Sequence, residues 1–336
     1  MPLTRTIDEV KEAIPNFIGN LSDPASLPNM LNAEYKYLVP LTGIDLYNDI
    51  HTKYTTEPGT LTADETTLLK LMRVVSLCYA FRDGIAMRYL TFTDNTITKI
   101  AAGGTAEIRK WEYEKIEGEL LTAAYDATEV LLTFMNEKQF ALWVASDQYK
   151  KFTALLMRTG AEFDEQYKLF QPNRTFYSIR SAVADAQELY LKEGTGDDLL
   201  TYLVDLASPD DDLTKAINNL KKALAFFTIK RCAEHFNVRF SDNGFTVSSD
   251  VGSSDNATEA GRKDAGDTTL EIKKRACDES GQTFLSKARE LLVAYYNKEG
   301  IASEYKTAYD KGPLKNFVAQ TDRTSGNENR TGVFAL

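Results

Sequence analysis

Metal and proton chemistry rests most often on histidine, cysteine and clustered carboxylates, and this chain is short of the first two. Its histidines are His51 and His235, and its cysteines Cys78, Cys232 and Cys277, none in a metal-ligand spacing. That excludes a His-rich metal centre. His235, near the end of a helical stretch, reads as a cap for free carbonyls. Cys78 and Cys232 lie on apolar helix faces and read as buried free thiols. Glu112, Glu114, Glu117 and Glu119 have the right oxygens for a cation, but Arg109, Lys110 and Lys115 interleave with them. A solvated helix face with local ion pairs follows. Asp210-Asp211-Asp212 after Pro209 reads as an acidic cap for the helix at Leu213. Gly103-Gly104 lacks the spacing of a phosphate loop and reads as a joint. Asn173-Arg-Thr, Asn256-Ala-Thr and Asn329-Arg-Thr match the glycosylation pattern, which has no consequence without secretion. No nucleophile elbow occurs. The chain is therefore expected to be no enzyme, with no catalytic, cofactor-binding or metal residues and no cofactor.

Recognition chemistry is better placed. Two turns are expected to face outward, Asp94-Asn95 and Asp242-Asn243-Gly244, each between short segments of strand composition. A polar C-terminal arm ends in apolar residues, with Val333, Phe334 and Leu336 as candidate contacts. These eight residues are the candidate interaction sites.

The elements that position the turns repeat. In Leu68 to Ile100, Met72, Val75 and Tyr79 share a helical face, and the helix runs into a hairpin at Tyr89–Phe92 and Ile97–Ile100. From Ala216, Ile217, Leu220, Leu224 and Phe227 show the same spacing and lead into Phe240-Ser241 and Phe245-Thr246-Val247. Phe92 to Thr98 matches Phe240 to Thr246 position by position, and Phe92 and Phe240 are expected to anchor the hairpins.

Other elements echo in the same order. Phe163-Asp164-Glu165 echoes Ile7-Asp8-Glu9, where Thr6 and Glu9 form a capping box. Asp185 to Leu191 echoes Asn32 to Leu38, and Thr195-Gly196 echoes Thr42-Gly43. A long helix from about Thr105 to Asn136 carries Ala124, Ala127, Leu131 and Phe134. Leu285, Ala288, Leu292 and Tyr295 match them, and Ala127–Leu131 against Ala288–Leu292 is the closest helical pair. An ordered set of echoes signals internal duplication. The expected fold is mainly α: two tandem helical-bundle units, each with a short β-hairpin. Unit boundaries are expected at 1–138 (hairpin near 89–100) and 163–317 (hairpin near 238–248, long polar loop 248–268). A bridging helical segment at 139–162, with no counterpart that aligns in the first half, separates them, and 318–336 is a flexible arm.

With 336 residues, 43% hydrophobic and 26% charged, the chain has the balance of a globular protein of two ordinary domains. A net charge of −10 opposes gripping nucleic acid through its phosphates, but allows a surface that nucleic acid passes without sticking. The longest apolar runs are too short to cross a bilayer, and Met1 to Pro15 lacks the apolar core of a secretory signal, so function inside a cell is expected.

The stretches Ala33–Asp45, Leu68–Thr98 and Ile116–Asn136, with Ala186–Asp198, Ala216–Thr246 and Ser280–Asn297 as their second set, resemble head–tail connector (adaptor) proteins of tailed bacteriophages. The likeness is to a duplicated form in phages and prophages of Bacteroides-type bacteria. Trp143-Val-Ala-Ser-Asp-Gln-Tyr149 adds to it. The resemblance implies a homo-oligomeric ring in the virion neck, made in the bacterial host cytoplasm. It implies a portal protein above, tail or stopper proteins beneath, and DNA only as a passing substrate in the lumen, with no sequence-specific binding and no membrane partner. The duplication leaves ring stoichiometry open. The alternative is a cytoplasmic helical scaffold that binds a protein partner and is unrelated to virions.

Overall fold

A computed structural model describes residues 2–14, 29–56, 59–88, 90–93, 96–99, 110–235, 237–241, 244–248 and 259–317. The fold is mostly helical, and its elements run through one series twice. The first series is α1 (Ile7–Ala13), α2 (Met30–Ala33), a π-helical segment (Glu34–Leu38), α3 (Val39–Thr42), α4 (Ile44–Thr56), α5 (Ala63–Arg88), β1 (Leu90–Thr93), β2 (Thr96–Lys99) and α6 (Lys110–Lys138). Two short helices follow, α7 (Ala141–Val144) and α8 (Asp147–Thr153). The second series is α9 (Gly160–Asp164), α10 (Pro172–Ala186), a π-helical segment (Gln187–Lys192), α11 (Glu193–Thr195), α12 (Asp197–Asp205), α13 (Asp211–His235), β3 (Asn237–Ser241), β4 (Gly244–Ser248) and α14 (Glu259–Tyr296). It closes with α15 (Ser303–Lys311) and a 3-10 turn, Pro313–Asn316.

Duplication is most exact where the backbone is most unusual. Both series hold a π-helical segment one turn before a glycine stop. The first is followed by Pro40, but Glu193 stands at the matching place in the second, so the proline is not its cause. Each stop is a Thr-Gly pair. The buried Thr42 hydroxyl donates to Leu38 O at 3.2 Å, and the Thr195 hydroxyl to Leu191 O at 2.8 Å. Gly43 (φ 81, ψ 150) and Gly196 (φ 91, ψ 149) then turn the chain through a conformation that a Cβ makes costly.

By contacts the chain divides into two compact units, Met1–Arg180 with Phe236–Gly261, and Ser181–His235 with Arg262–Leu336. This partition differs from the expected one in two ways. The boundary falls at 180/181, so the expected bridging segment 139–162 belongs to the first unit. The β3–β4 pair also groups with the first unit, because Phe245 is buried there and its backbone pairs with the segment after α9: Phe245 N donates to Lys168 O at 3.0 Å and Phe170 N to Phe245 O at 2.9 Å. The strands pair antiparallel, Phe92 opposite Ile97 in β1–β2 and Phe240 opposite Phe245 in β3–β4. A further difference is α14, which starts at Glu259 and so takes up the second half of the stretch expected as polar loop. Glu, Ala, Arg and Lys are good helix formers, so polarity alone was a poor guide there.

In the first unit α5 packs along α6, and Leu68, Met72, Val75 and Leu77 meet in one core with Ala124, Leu131 and Met135. Within the second, Leu220, Leu224 and Phe227 of α13 are buried, as are Leu285, Ala288 and Leu292 of α14. The Phe227 ring lies against Gly281, where a Cβ would come within 2.6 Å of it, and stacks on Tyr190 at 4.3 Å. The segment between the series has an equivalent after the second series. Ser146, between α7 and α8, backs Gly43; Gly312, after α15, backs Gly196.

Candidate interaction surfaces

Near its N-terminus the chain is fastened by a buried polar lock. Thr6 caps α1 and Glu9 completes the capping box, as the spacing predicts. Leu3 N donates to Glu34 Oε1 at 2.7 Å, and the Tyr47 hydroxyl to Glu34 Oε2 at 2.7 Å. Arg73 Nε donates to Leu3 O at 2.9 Å and its Nη2 to Glu9 Oε1 at 2.6 Å; Tyr54 donates to the same Glu9 oxygen. The Tyr54 ring takes Arg5 and Arg73, each with Cζ 4.6 Å from its centroid. The two carboxylates titrate in opposite directions. Burial raises Glu34 above the usual carboxylate range, against the hydrogen bonds from Tyr47 and Leu3. Burial pushes Glu9 the same way, but the Tyr54 hydroxyl, the Arg5 and Thr6 amides and the Arg73 charge together bring it below that range.

The same start recurs ahead of the second series. Thr159 caps α9, Glu162 closes its box, and Arg158 N donates to Glu162 Oε2 at 2.6 Å as Arg5 N does to Glu9 Oε2 at 2.7 Å. Leu156, Arg158, Thr159 and Glu162 therefore match Leu3, Arg5, Thr6 and Glu9. This moves the expected echo of Phe163 with Ile7 by three residues, and Phe163, buried like Val10, is Val10's counterpart. The T-x-x-E signature at Thr159 was the signal that could have set the register.

This second start sits on α6, within the first unit. Glu129 accepts from Asn173 N (3.1 Å), Asn173 Nδ2 (3.2 Å) and Arg174 N (2.7 Å), so its carboxylate caps the positive end of α10. Asn173 Nδ2 also donates to Thr133 Oγ1 at 2.9 Å, and Asn136 Nδ2 to Asn173 Oδ1 at 3.3 Å. The Arg174 guanidinium lies 3.3 Å above the Tyr125 ring, and Gln171 donates to Asp126. Beside this seat is a cleft of about 80 Å³ whose lining includes Trp143, Tyr149, Phe152, Arg158, Phe176 and Tyr177. The Trp143 indole is buried, and its Nε1 has no hydrogen-bond partner among the described residues. Glu129 was not singled out from sequence, because its partners lie far along the chain, and Trp143 was noted only within the stretch that carries the resemblance.

Of the expected interaction residues, Asp94, Asn95, Asp242, Asn243, Val333, Phe334 and Leu336 lie outside the described residues. Gly244 is described and is not an outward tip. A Cβ there would meet Leu169 C and Lys168 O at 2.9 Å, and Gly244 (φ 119) lets β4 close on that backbone. The described anchor of this pair is Phe245, 1% exposed and edge-on to Tyr167 at 6.5 Å. Asp210 behaves as its acidic-cap reading requires, accepting from Leu213 N at 2.9 Å and Asp212 N at 3.1 Å.

Residue type differs between the repeats at three matching places. In the first, Leu31, Tyr35 and Ile44 are 42%, 54% and 43% exposed. Ala184, Glu188 and Asp197 stand at the matching places in the second. There Lys192 bridges Glu188 (2.7 Å) and Asp197 (3.0 Å).

Among the described residues no group of three His, Cys, Asp or Glu side chains could hold a metal ion, and no helix is long and apolar enough to cross a membrane. Cys78, Cys232 and Cys277 are free and buried, and burial raises all three thiols, Cys78 to about 11 and Cys232 to about 12. No curated protein and no solved structure matches the chain. One family's sequence profile does, twice, over residues 38–153 and 179–292. Those two matches cover most of both helical series, and the chain belongs to that family, a family of unknown function (DUF6712).

Proposed function

We propose that the protein is a non-enzymatic structural component of a phage virion, a head-to-tail connector subunit that bridges portal and tail proteins in the neck. The observation that carries the reading is the seating of one repeat's start on the long helix of the repeat before it. A contact of that kind is heterologous and, repeated between chains, gives a ring or filament. The acidic balance suits a lumen wall that DNA passes without adhering, and the resemblance to connector proteins supplies the setting. In this reading each repeat contributes a short β-hairpin, near 89–100 and 238–248, whose tips at Asp94-Asn95 and Asp242-Asn243 meet neighbouring proteins, as does the Val333-Phe334-Leu336 end. The protein acts within the virion after synthesis in the host cytoplasm. Mass spectrometry of purified virions tests this: connector stoichiometry, a small multiple of portal abundance or less, is the expected result. Absence from virions would end the reading.

A second reading, a cytoplasmic adaptor unrelated to virions, is favoured by the aromatic cleft with the unpartnered Trp143 donor. It calls for a partner side chain bearing an acceptor. Trp143→Phe keeps the ring and removes the donor, so on this reading it weakens capture of the partner from host lysate and leaves virion incorporation unchanged.

A further inference from the structure

We propose that the face of α14 bearing Glu290, Val293 and Asn297 seats the N-terminal segment of a second copy of this chain, as α6 seats the start of the second repeat. The inference rests on the homo-oligomeric reading above and names its interface. On α6 the stripe that receives the second repeat is Glu129, Leu132 and Asn136: Glu129 and Asn136 bond Asn173, and Leu132 lines the cleft with Phe176. The match of Ala127, Leu131 with Ala288, Leu292 puts Glu290, Val293 and Asn297 at those three places. The covered stripe is buried or half-buried. In the uncovered one Glu290 and Asn297 are exposed, and Glu290 has no hydrogen bond or ion pair among the described residues.

What would fill the seat is given by the other half of the duplication. The start that α6 receives has its equivalent upstream of Met30, where the sequence keeps Asn20 for Asn173 and Phe17 for Phe170. Two contacts change, and both sides change together. Arg174 over Tyr125 becomes Leu21 with Ser286, and Gln171 with Asp126 becomes Ile18 with Lys287. The Asn–Glu pair is retained. A chain with one start already seated on its own α6, and a matching seat exposed on α14 among the described residues, joins head to tail with its copies.

Sedimentation velocity over a concentration series, on the full chain, tests this with Glu290→Lys and, as a control on the same helix, the exposed Glu279→Lys. Wild type and Glu279→Lys are expected to self-associate alike, and Glu290→Lys at least tenfold more weakly with unchanged circular dichroism. A photo-crosslinking residue at position 290 should join two chains, with adducts upstream of Met30. Wild-type protein that stays monomeric throughout, equal association of Glu290→Lys, or adducts elsewhere would each overturn the proposal. The neck reading fails separately: a virion-borne monomer removes this interface alone, and a self-associating chain missing from virions removes the neck alone.

Discussion

Glu34 and Glu9 sit a few bonds apart in one lock, yet protonation affects them oppositely. The folded state raises the Glu34 pKa, so it binds a proton there that the unfolded chain has released. Its contribution is fully present below the ordinary carboxylate value of about 4.5 and is lost as pH rises through the raised value. Glu9, lowered, contributes above the ordinary value and loses that contribution as pH falls through its folded value. Glu34→Gln is expected to keep the fold, since Gln187 holds the matching place in the second repeat, and to remove the loss of stability on going from mildly acid to neutral pH. Glu9→Gln should lower neutral-pH stability by about 1.5–3 kcal/mol, the range for hydrogen bonds to a charged group, with the deficit shrinking toward acid. Urea melts of both variants across pH check the two signs. The thiols give an independent measure. Buried and held above their usual range, Cys78, Cys232 and Cys277 should react with an aromatic disulfide reagent only as fast as the chain opens, and all three at once in denaturant.

At the scale of elements, the Thr-Gly stop is the device both repeats share most closely. Alanine at Gly43 or Gly196 forces a Cβ into a conformation that costs of order 1–3 kcal/mol. The surroundings then separate the two. At Gly43 the new atom meets the Ser146 side chain at 3.1 Å, whereas at Gly196 it meets the Gly312 backbone at 2.8 Å. Gly196→Ala should therefore lower the melting temperature more than Gly43→Ala, because a backbone gives way less readily than a side chain. Equal shifts would mean that the cost lies in φ alone.

For the whole molecule, the compact units and the repeats do not coincide. Residues 1–138 hold the first series, but Leu132 and Asn136 of α6 are finished only by α7, α8 and the start of the second repeat. A fragment ending at Lys138 is expected to bind a hydrophobic dye and aggregate, while one ending at Arg180, the observed boundary, binds less dye and melts more cooperatively. If both behave alike, the second repeat's start contributes nothing to the first unit.

Local signals were enough for much of this protein. Amphipathic spacing at Leu68–Tyr79 and Ala124–Phe134, the Thr6–Glu9 capping box and the Thr-Gly stops each act over one or two helical turns, so the series of helices and its duplication were legible in the chain. Shared residue types did not reveal which partners those helices take. The Glu129 seat depends on residues more than forty positions away, Gly244 lies against the backbone of Lys168–Phe170, some seventy-five positions earlier, and the helical start of α14 was hidden by its polarity. Periodicity reports which face of an element is apolar; only tertiary packing decides what covers that face, and among the described residues it covered the α6 stripe and left Glu290 and Asn297 of the matching α14 stripe exposed.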